Sequence, residues 1–122
     1  MNVAFDADEE LGTISRDVAV CLYRIVQEGL RNIANHAHAA DATVSLSQTG
    51  DRIELTISDG GRGFEPGVTL ARGGLGLLSI EERARLVGGT LTVTSAAGRG
   101  TTLAVRVPSS AILREPAVVI PA

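Results

Sequence analysis

The stretch Ala42–Asp59, ATVSLSQTGDRIELTISD, decides the fold. Val44 and Leu46 alternate with polar residues, and so do Ile53, Leu55 and Ile57. An apolar side chain at every second position lines one face of an extended chain and leaves the other polar. Between the two runs lies QTGD, a turn composition, so the pair reads as a β-hairpin. A sheet with one apolar face requires a second layer to cover it.

Covering elements flank the hairpin on both sides. From Ser15 to about His38, the residues Val18, Leu22, Ile25, Val26, Ile33 and Ala37 recur at intervals of three and four, the stripe of an amphipathic helix. Downstream, GLLSIEERARLVGG predicts a second helix with Leu77, Ile80, Ala84 and Val87 on one face, stopped by Gly88 and Gly89. Ser79 with Glu82 fits a capping box at its start, or the helix begins a turn earlier, at Gly76. Two more alternating runs follow, Leu91 and Val93, then Leu103, Val105 and Val107, joined by AAGRG. Val3 to Phe5 offers a short edge strand. The expected class is α+β: a two-layer α/β sandwich, with helices on one face of a mixed, mostly antiparallel sheet. Residues 1–108 form the expected domain. Residues 109–122 carry Pro116 and Pro121 and no period, and are expected to be a flexible tail.

Composition narrows the function. A chain of 122 residues suits one core, and with 2% aromatic content that core must be built from Val, Leu, Ile and Ala. The net charge of −3 and the scarcity of aromatic side chains argue against nucleic acid as a partner. Cys21 is the only cysteine, so no internal disulfide or cysteine-cluster metal site can form. Its surroundings, VAVCLY, suit a small buried residue better than a nucleophile. No apolar run approaches a membrane span, and the acidic start MNVAFDADEE is unlike a signal peptide. The expectation is a cytoplasmic domain without direct membrane contact.

The hairpin runs into SDGGRGF, Ser58–Phe64. Gly60, Gly61 and Gly63 are entropically costly together, which marks a tight turn, positive φ, or backbone pressed against a ligand. Asp59 beside them caps that turn or, in a functional reading, accepts a hydrogen bond from an exocyclic amine. A carboxylate there selects adenine, which presents an amine, over guanine, which presents a carbonyl. On the first helix Arg24, Glu28, Asn32, Asn35 and His36 share a face, and such a stripe is ordinarily solvated. Against that, Asn is a poor mid-helix residue and Gly29 thins the helix beside Glu28. Amide and carboxylate oxygens on one face suit a hard cation such as Mg²⁺. Ahead of the second helix, RGGLGL places Gly73, Gly74 and Gly76 where backbone N–H groups can face an anion. It is neither a P-loop nor a dinucleotide fingerprint.

Taken in order, these motifs resemble the GHKL ATPase superfamily, which includes gyrase, heat-shock chaperone, histidine kinase and mismatch-repair ATPases. RIVQEGLRNIANHAHA resembles its N box, DGGRGF its G1 box, and GGLGLLSIEERARLVGGTLTVTSAAGRGTTLAVRVP its G2 region. Within the superfamily, YRIVQEGLRNIANHA is most similar to sensor histidine kinases that pair with helix-turn-helix response regulators. The resemblance runs from about Val3 to Pro108 and implies a Bergerat-type fold that binds ATP with Mg²⁺. It implies that Asn32 coordinates the metal and that Glu28 stands near it, polarising water or the incoming nucleophile. Asp59 would read adenine, with Gly61 and Gly63 in the same box. Gly74 and Gly76, flanked by Leu75 and Leu77, would lie under the phosphates. Thr101 would help to hold the adenine, and Asn35 and His36 would sit close to the nucleotide.

The chain departs from the pattern in places. Asn35 stands where relatives often carry Lys, Gly60 replaces a common Asn, and the lid from Glu65 to Gly73 is short, without a separate F box. Arg72 is left as a candidate phosphate-facing cation. His36 and His38 lack the acidic neighbour of a phosphoacceptor site. The resemblance therefore implies a catalytic domain, monomeric in isolation. Its partners would be a histidine-containing dimerisation domain of the same kinase and a response regulator. The alternatives are a stand-alone serine kinase of the anti-sigma type and a non-catalytic ATP-binding switch module of the same superfamily.

Overall fold

The alternation in Ala42–Asp59 folds into the hairpin it predicts. In a computed structural model that describes residues 2–9, 11–34, 41–61, 77–95 and 100–110, β2 (Asp41–Thr49) pairs antiparallel with β3 (Arg52–Asp59). Val44 lies opposite Ile57 and Leu46 opposite Leu55. Gly50 closes the turn at φ +62°, a left-handed conformation that L side chains rarely adopt. β3 pairs next with β5 (Thr101–Pro108), and β5 with β4 (Thr90–Ser95), both antiparallel. On the other side β1 (Asn2–Ala7) runs parallel to β2, completing a five-stranded mixed sheet in the order β1-β2-β3-β5-β4. The edge strand expected at Val3–Phe5 is thus present and longer.

The centre of the sheet holds the core. Ile53 faces Val107, Leu55 faces Val105 and Ile57 faces Leu103, and all six side chains are buried. Burying a side chain of this size stabilises by about 1.5–3 kcal/mol relative to exposure. On the far face, Glu54 and Arg106 form an ion pair at 2.6 Å between half-exposed side chains.

Two described helices cover the apolar face. α1 (Arg16–Asn32) starts at Ser15, whose Oγ accepts from the Val18 N–H at 3.2 Å. The Ser15 N–H donates to the Ser109 carbonyl at 2.8 Å, tying the start of α1 to the end of β5. Val18, Leu22, Ile25 and Ile33 are buried, as the stripe requires. Ile33 keeps helical angles and donates to the carbonyls of Gly29 and Leu30, while residues 35–40 lie outside the described set. Gly29 sits against the sheet: a Cβ there would come 2.7 Å from Ile57 Cδ1 and 3.8 Å from Leu103 Cδ1. Since Ser15 lies at the Ser109 end and Gly29 over Leu103, α1 runs antiparallel to β5.

α2 (Leu77–Leu86) buries Leu77, Ile80 and Ala84, followed by Val87. It ends in a Schellman motif: the Gly88 N–H donates to Arg85 and the Gly89 N–H to Ala84, with Gly88 at φ +75°. The glycine stop is therefore as read. The capping box is not: Ser79 lies inside the helix, two residues after Leu77, too late to serve as its N-cap. Cys21 joins the two helices, its Sγ donating to the Arg83 carbonyl at 3.1 Å.

Candidate functional site

Asp59 ends β3 directly opposite Thr101, and Thr101 lies opposite Ser95 on β4. On the other side Asp59 lies opposite Ala42 on β2. Paired residues in an antiparallel ladder share a face. That face is the helix-covered one, because Ile57 and Leu103, two positions away, are buried beneath α1. Asp59, Thr101 and Ser95 therefore form a polar row one step beyond the last apolar row, with the buried Ala42 flanking it on β2. Packing supplies the apolar floor, and the polar row is what remains at its end.

The end of α1 lies above this row. Asn32 follows Gly29 by three residues, about 4.5 Å along a helix axis. Thr101 precedes Leu103 by two, about 6.6 Å along a strand. With α1 antiparallel to β5, both displacements carry the chain the same way, so Asn32 is brought over the Asp59–Thr101 level. Glu28, one turn earlier, is half-buried like Asn32, whereas Arg24 in the same stripe is exposed. The polar stripe rolls from solvent toward the sheet as it nears the row. The Asn32 Nδ2 is buried with no hydrogen-bond partner among the described residues. A buried amide N–H without a partner costs about 1–3 kcal/mol, a penalty that an acceptor atom bound there would remove.

The Asp59 carboxylate is held by its own loop. Its Oδ1 accepts from the Gly61 N–H at 2.7 Å. An ionised carboxylate offers about four lone-pair sites, so acceptor capacity remains. Gly60 is not sterically required, since a Cβ there meets nothing within 4 Å. The demanding glycine is Gly100: at φ +78°, a Cβ on it would overlap the Asp59 carbonyl oxygen. Gly100 and Ser95 belong to the site, and sequence reasoning passed over both. Their signal lies in the register that sets β5 beside Asp59 and β4 beside β5.

Thus the structure brings Glu28, Asn32, Asp59, Gly61 and Thr101 to one end of the sheet. Leu77 is buried in the core at the start of α2. Asn35, His36, Gly63, Gly74, Leu75 and Gly76 lie outside the described residues. Among the described residues no three His, Cys, Asp or Glu side chains cluster as a metal cage. The Asn32 amide and the Glu28 carboxylate still fit Mg²⁺, which takes hard oxygen donors and retains waters and phosphate oxygens. A shallow depression of about 350 Å³, lined by Ser47, Thr49, Asp51, Arg52, Glu54 and Arg106, lies on the far face at the hairpin end and shares no residue with the row.

Residues 17–111 match the family model described as histidine kinase-, DNA gyrase B- and HSP90-like ATPase. The chain belongs to this ATPase family. Among curated proteins, it is 40% identical over 95 residues to the sensor histidine kinase LiaS of Bacillus subtilis, covering 78% of the chain and 26% of LiaS. An uncharacterised sensor-like histidine kinase of Chloroflexus aurantiacus is 40% identical over 92 residues, covering 71% of the chain and 15% of that protein. The chain thus spans about a quarter or less of these relatives. Among solved structures, the blue-light activated histidine kinase of Erythrobacter litoralis superposes with a TM-score of 0.72 at 26% identity, covering 88% of the chain and 35% of that protein. Full-length ShkA in complex with AMPPNP gives a TM-score of 0.72 at 23% identity over 93% of the chain and 26% of its own length, a likeness of fold. As a member of this ATPase family the chain is an ATP-binding domain of the type carried by sensor histidine kinases. No helix among the described residues is long and apolar enough to cross a membrane.

Proposed function

We propose that this domain binds Mg-ATP over the Asp59–Thr101 row and presents the γ-phosphoryl group to a histidine on a separate dimerisation domain, in a pathway that serves a helix-turn-helix response regulator. The observation that supports the reading is that the Asp59 carboxylate and the buried Asn32 amide nitrogen at the end of α1 lie at the same end of the sheet, in a chain that belongs to this ATPase family. The 40% identity to a sensor histidine kinase favours histidine over serine as the acceptor.

The roles follow from position. Asp59 takes the exocyclic amine of the base, Gly61 fixes that carboxylate, and Thr101 stands beside it. Asn32 and Glu28 supply oxygen atoms to Mg²⁺, which when bound offsets the charge of the phosphates. Glu28 is also the acceptor that orients the attacking imidazole. The side chain of Leu77 is committed to the core, so its contribution is a backbone N–H in the first turn of α2, a place that favours anions. Gly63, Gly74, Leu75 and Gly76 complete the phosphate loop in this proposal, with Asn35 and His36 beside the nucleotide. Catalysis is then mostly positioning and charge neutralisation, so the isolated domain binds nucleotide and turns over little.

Calorimetric titration with a non-hydrolysable ATP analogue tests this, with and without Mg²⁺ and with GTP as control. Magnesium-assisted binding that prefers adenine is expected, and Asp59→Asn should abolish it while the circular dichroism melt stays unchanged. Unaltered affinity in Asp59→Asn would sink the assigned pocket.

A further inference from the structure

Ser95 stands at the end of β4, half-buried, where the row of polar side chains meets the sheet edge. Its hydroxyl makes two contacts that bear on base selection. Ser95 Oγ lies 3.0 Å from the Gly100 carbonyl oxygen and 2.8 Å from Thr101 Oγ1. A carbonyl can only accept, and a serine hydroxyl has one proton. Both contacts are therefore satisfied together in one arrangement: Ser95 donates to Gly100, and Thr101 donates to Ser95. Gly100 itself holds φ +78°, a conformation that, with no room for a Cβ beside the Asp59 carbonyl, only glycine adopts here.

The consequence falls on Thr101. Its single proton is directed along the row to Ser95, so toward Asp59 and the space under α1 it offers lone pairs only. Asp59, directly opposite on β3, is also an acceptor. Two neighbouring acceptors match an amino group, which carries two N–H bonds, and leave a carbonyl oxygen with no donor. A threonine free to rotate would instead turn its proton outward and accommodate that carbonyl.

We propose that Ser95 is a positioning residue for base selection: by taking the Thr101 proton, it fixes Thr101 as an acceptor and sharpens the preference for a 6-amino over a 6-oxo purine. The proposal rests on the nucleotide-site reading above.

The test compares ATP with inosine triphosphate, which differs at the 6-position and the adjoining ring nitrogen, by titration of the full chain. Ser95→Ala should weaken ATP binding by about threefold to tenfold. It should also narrow the ATP-to-inosine ratio by roughly tenfold, because the freed hydroxyl now serves the carbonyl. Ser95→Thr, which keeps the hydroxyl, should restore the ratio. In a Thr101→Val background, Ser95→Ala should no longer change the ratio. Equal weakening of both nucleotides by Ser95→Ala, or an unchanged ratio, overturns the proposal and leaves Ser95 a structural residue. If Ser95→Ala does not fold, Ser95→Cys gives the same comparison with a weak donor in a similar volume. Failure of the unmutated chain to bind ATP removes the nucleotide site itself, whereas ATP binding with an unmoved ratio removes only the role of Ser95.

Discussion

Individual side chains here are read by what they are given to bond. Asp59 receives a backbone N–H from Gly61, Thr101 receives a serine, and Asn32 Nδ2 receives nothing among the described residues. Cys21 is the opposite case, a residue whose surroundings quench its chemistry. Burial pushes its thiol above the usual range, and the nearby Arg83 guanidinium opposes this only in part. Its Sγ–H is spent on the Arg83 carbonyl. The neutral thiol is thus the form the fold favours. That contribution is fully present below the ordinary thiol pKa and is lost as pH rises through the elevated value. Cys21 should alkylate far more slowly in the native chain than in denaturant, and denaturant midpoints should fall more steeply at alkaline pH than those of Cys21→Ala. Equal alkylation rates in the two states would contradict the burial.

Among the elements, the end of α2 makes the most specific demand. Gly88 must hold φ +75°, and Gly89 has no room for a side chain: a Cβ would lie 2.6 Å from the Arg106 carbonyl and collide with Val107. Gly88→Ala should cost about 1–2 kcal/mol, the strain of a left-handed residue. Gly89→Ala should cost about 2–3 kcal/mol, because backbone and a core valine cannot both give way. Denaturant unfolding checks the order; if Gly88→Ala proves the worse of the two, α2 does not pack on β5 as described. Gly29 on α1 differs in kind, since the atom it approaches is the far end of the Ile57 side chain, which can shift.

For the molecule as a whole, the site is an end of the core rather than a separate construction. The apolar rows of β3 and β5 stop at Ile57–Leu103, and the polar row begins at the next pair. A ligand seated on that row bridges sheet and helix layer, so binding couples to global stability. Mg-ATP at a hundredfold excess over its Kd should add about 2.7 kcal/mol. That corresponds to a rise in Tm on the order of 10 °C for a chain of this size. Scanning calorimetry with and without nucleotide measures it. A shift that survives in Asp59→Asn would place the nucleotide elsewhere.

The sequence by itself determined the layers. Alternation in Ala42–Asp59 and in Leu103–Val107 specified strands with one buried face, and the spacing of Val18, Leu22, Ile25 and Ile33 specified the helix that covers them. These are periodicities of the local backbone, so they are legible without knowing any partner. Glu28, Asn32, Asp59 and Thr101 stood out as candidates through the order of their motifs along the chain, and the fold brings them to one end of the sheet. Of the two starts open for α2, the capping box at Ser79 fails and the earlier one, near Gly76, agrees with a helical Leu77, because a Ser with a Glu three residues on satisfies the capping pattern anywhere and only the helix geometry says where the first turn lies. Tertiary structure alone decided the rest. The strand order set β4 next to β5 and so put Ser95 against Thr101, the approach of Gly100 to Asp59 left no room for a side chain there, and Gly29 set how closely α1 approaches the sheet. These depend on contacts between segments far apart in the chain, and no local period carries that information.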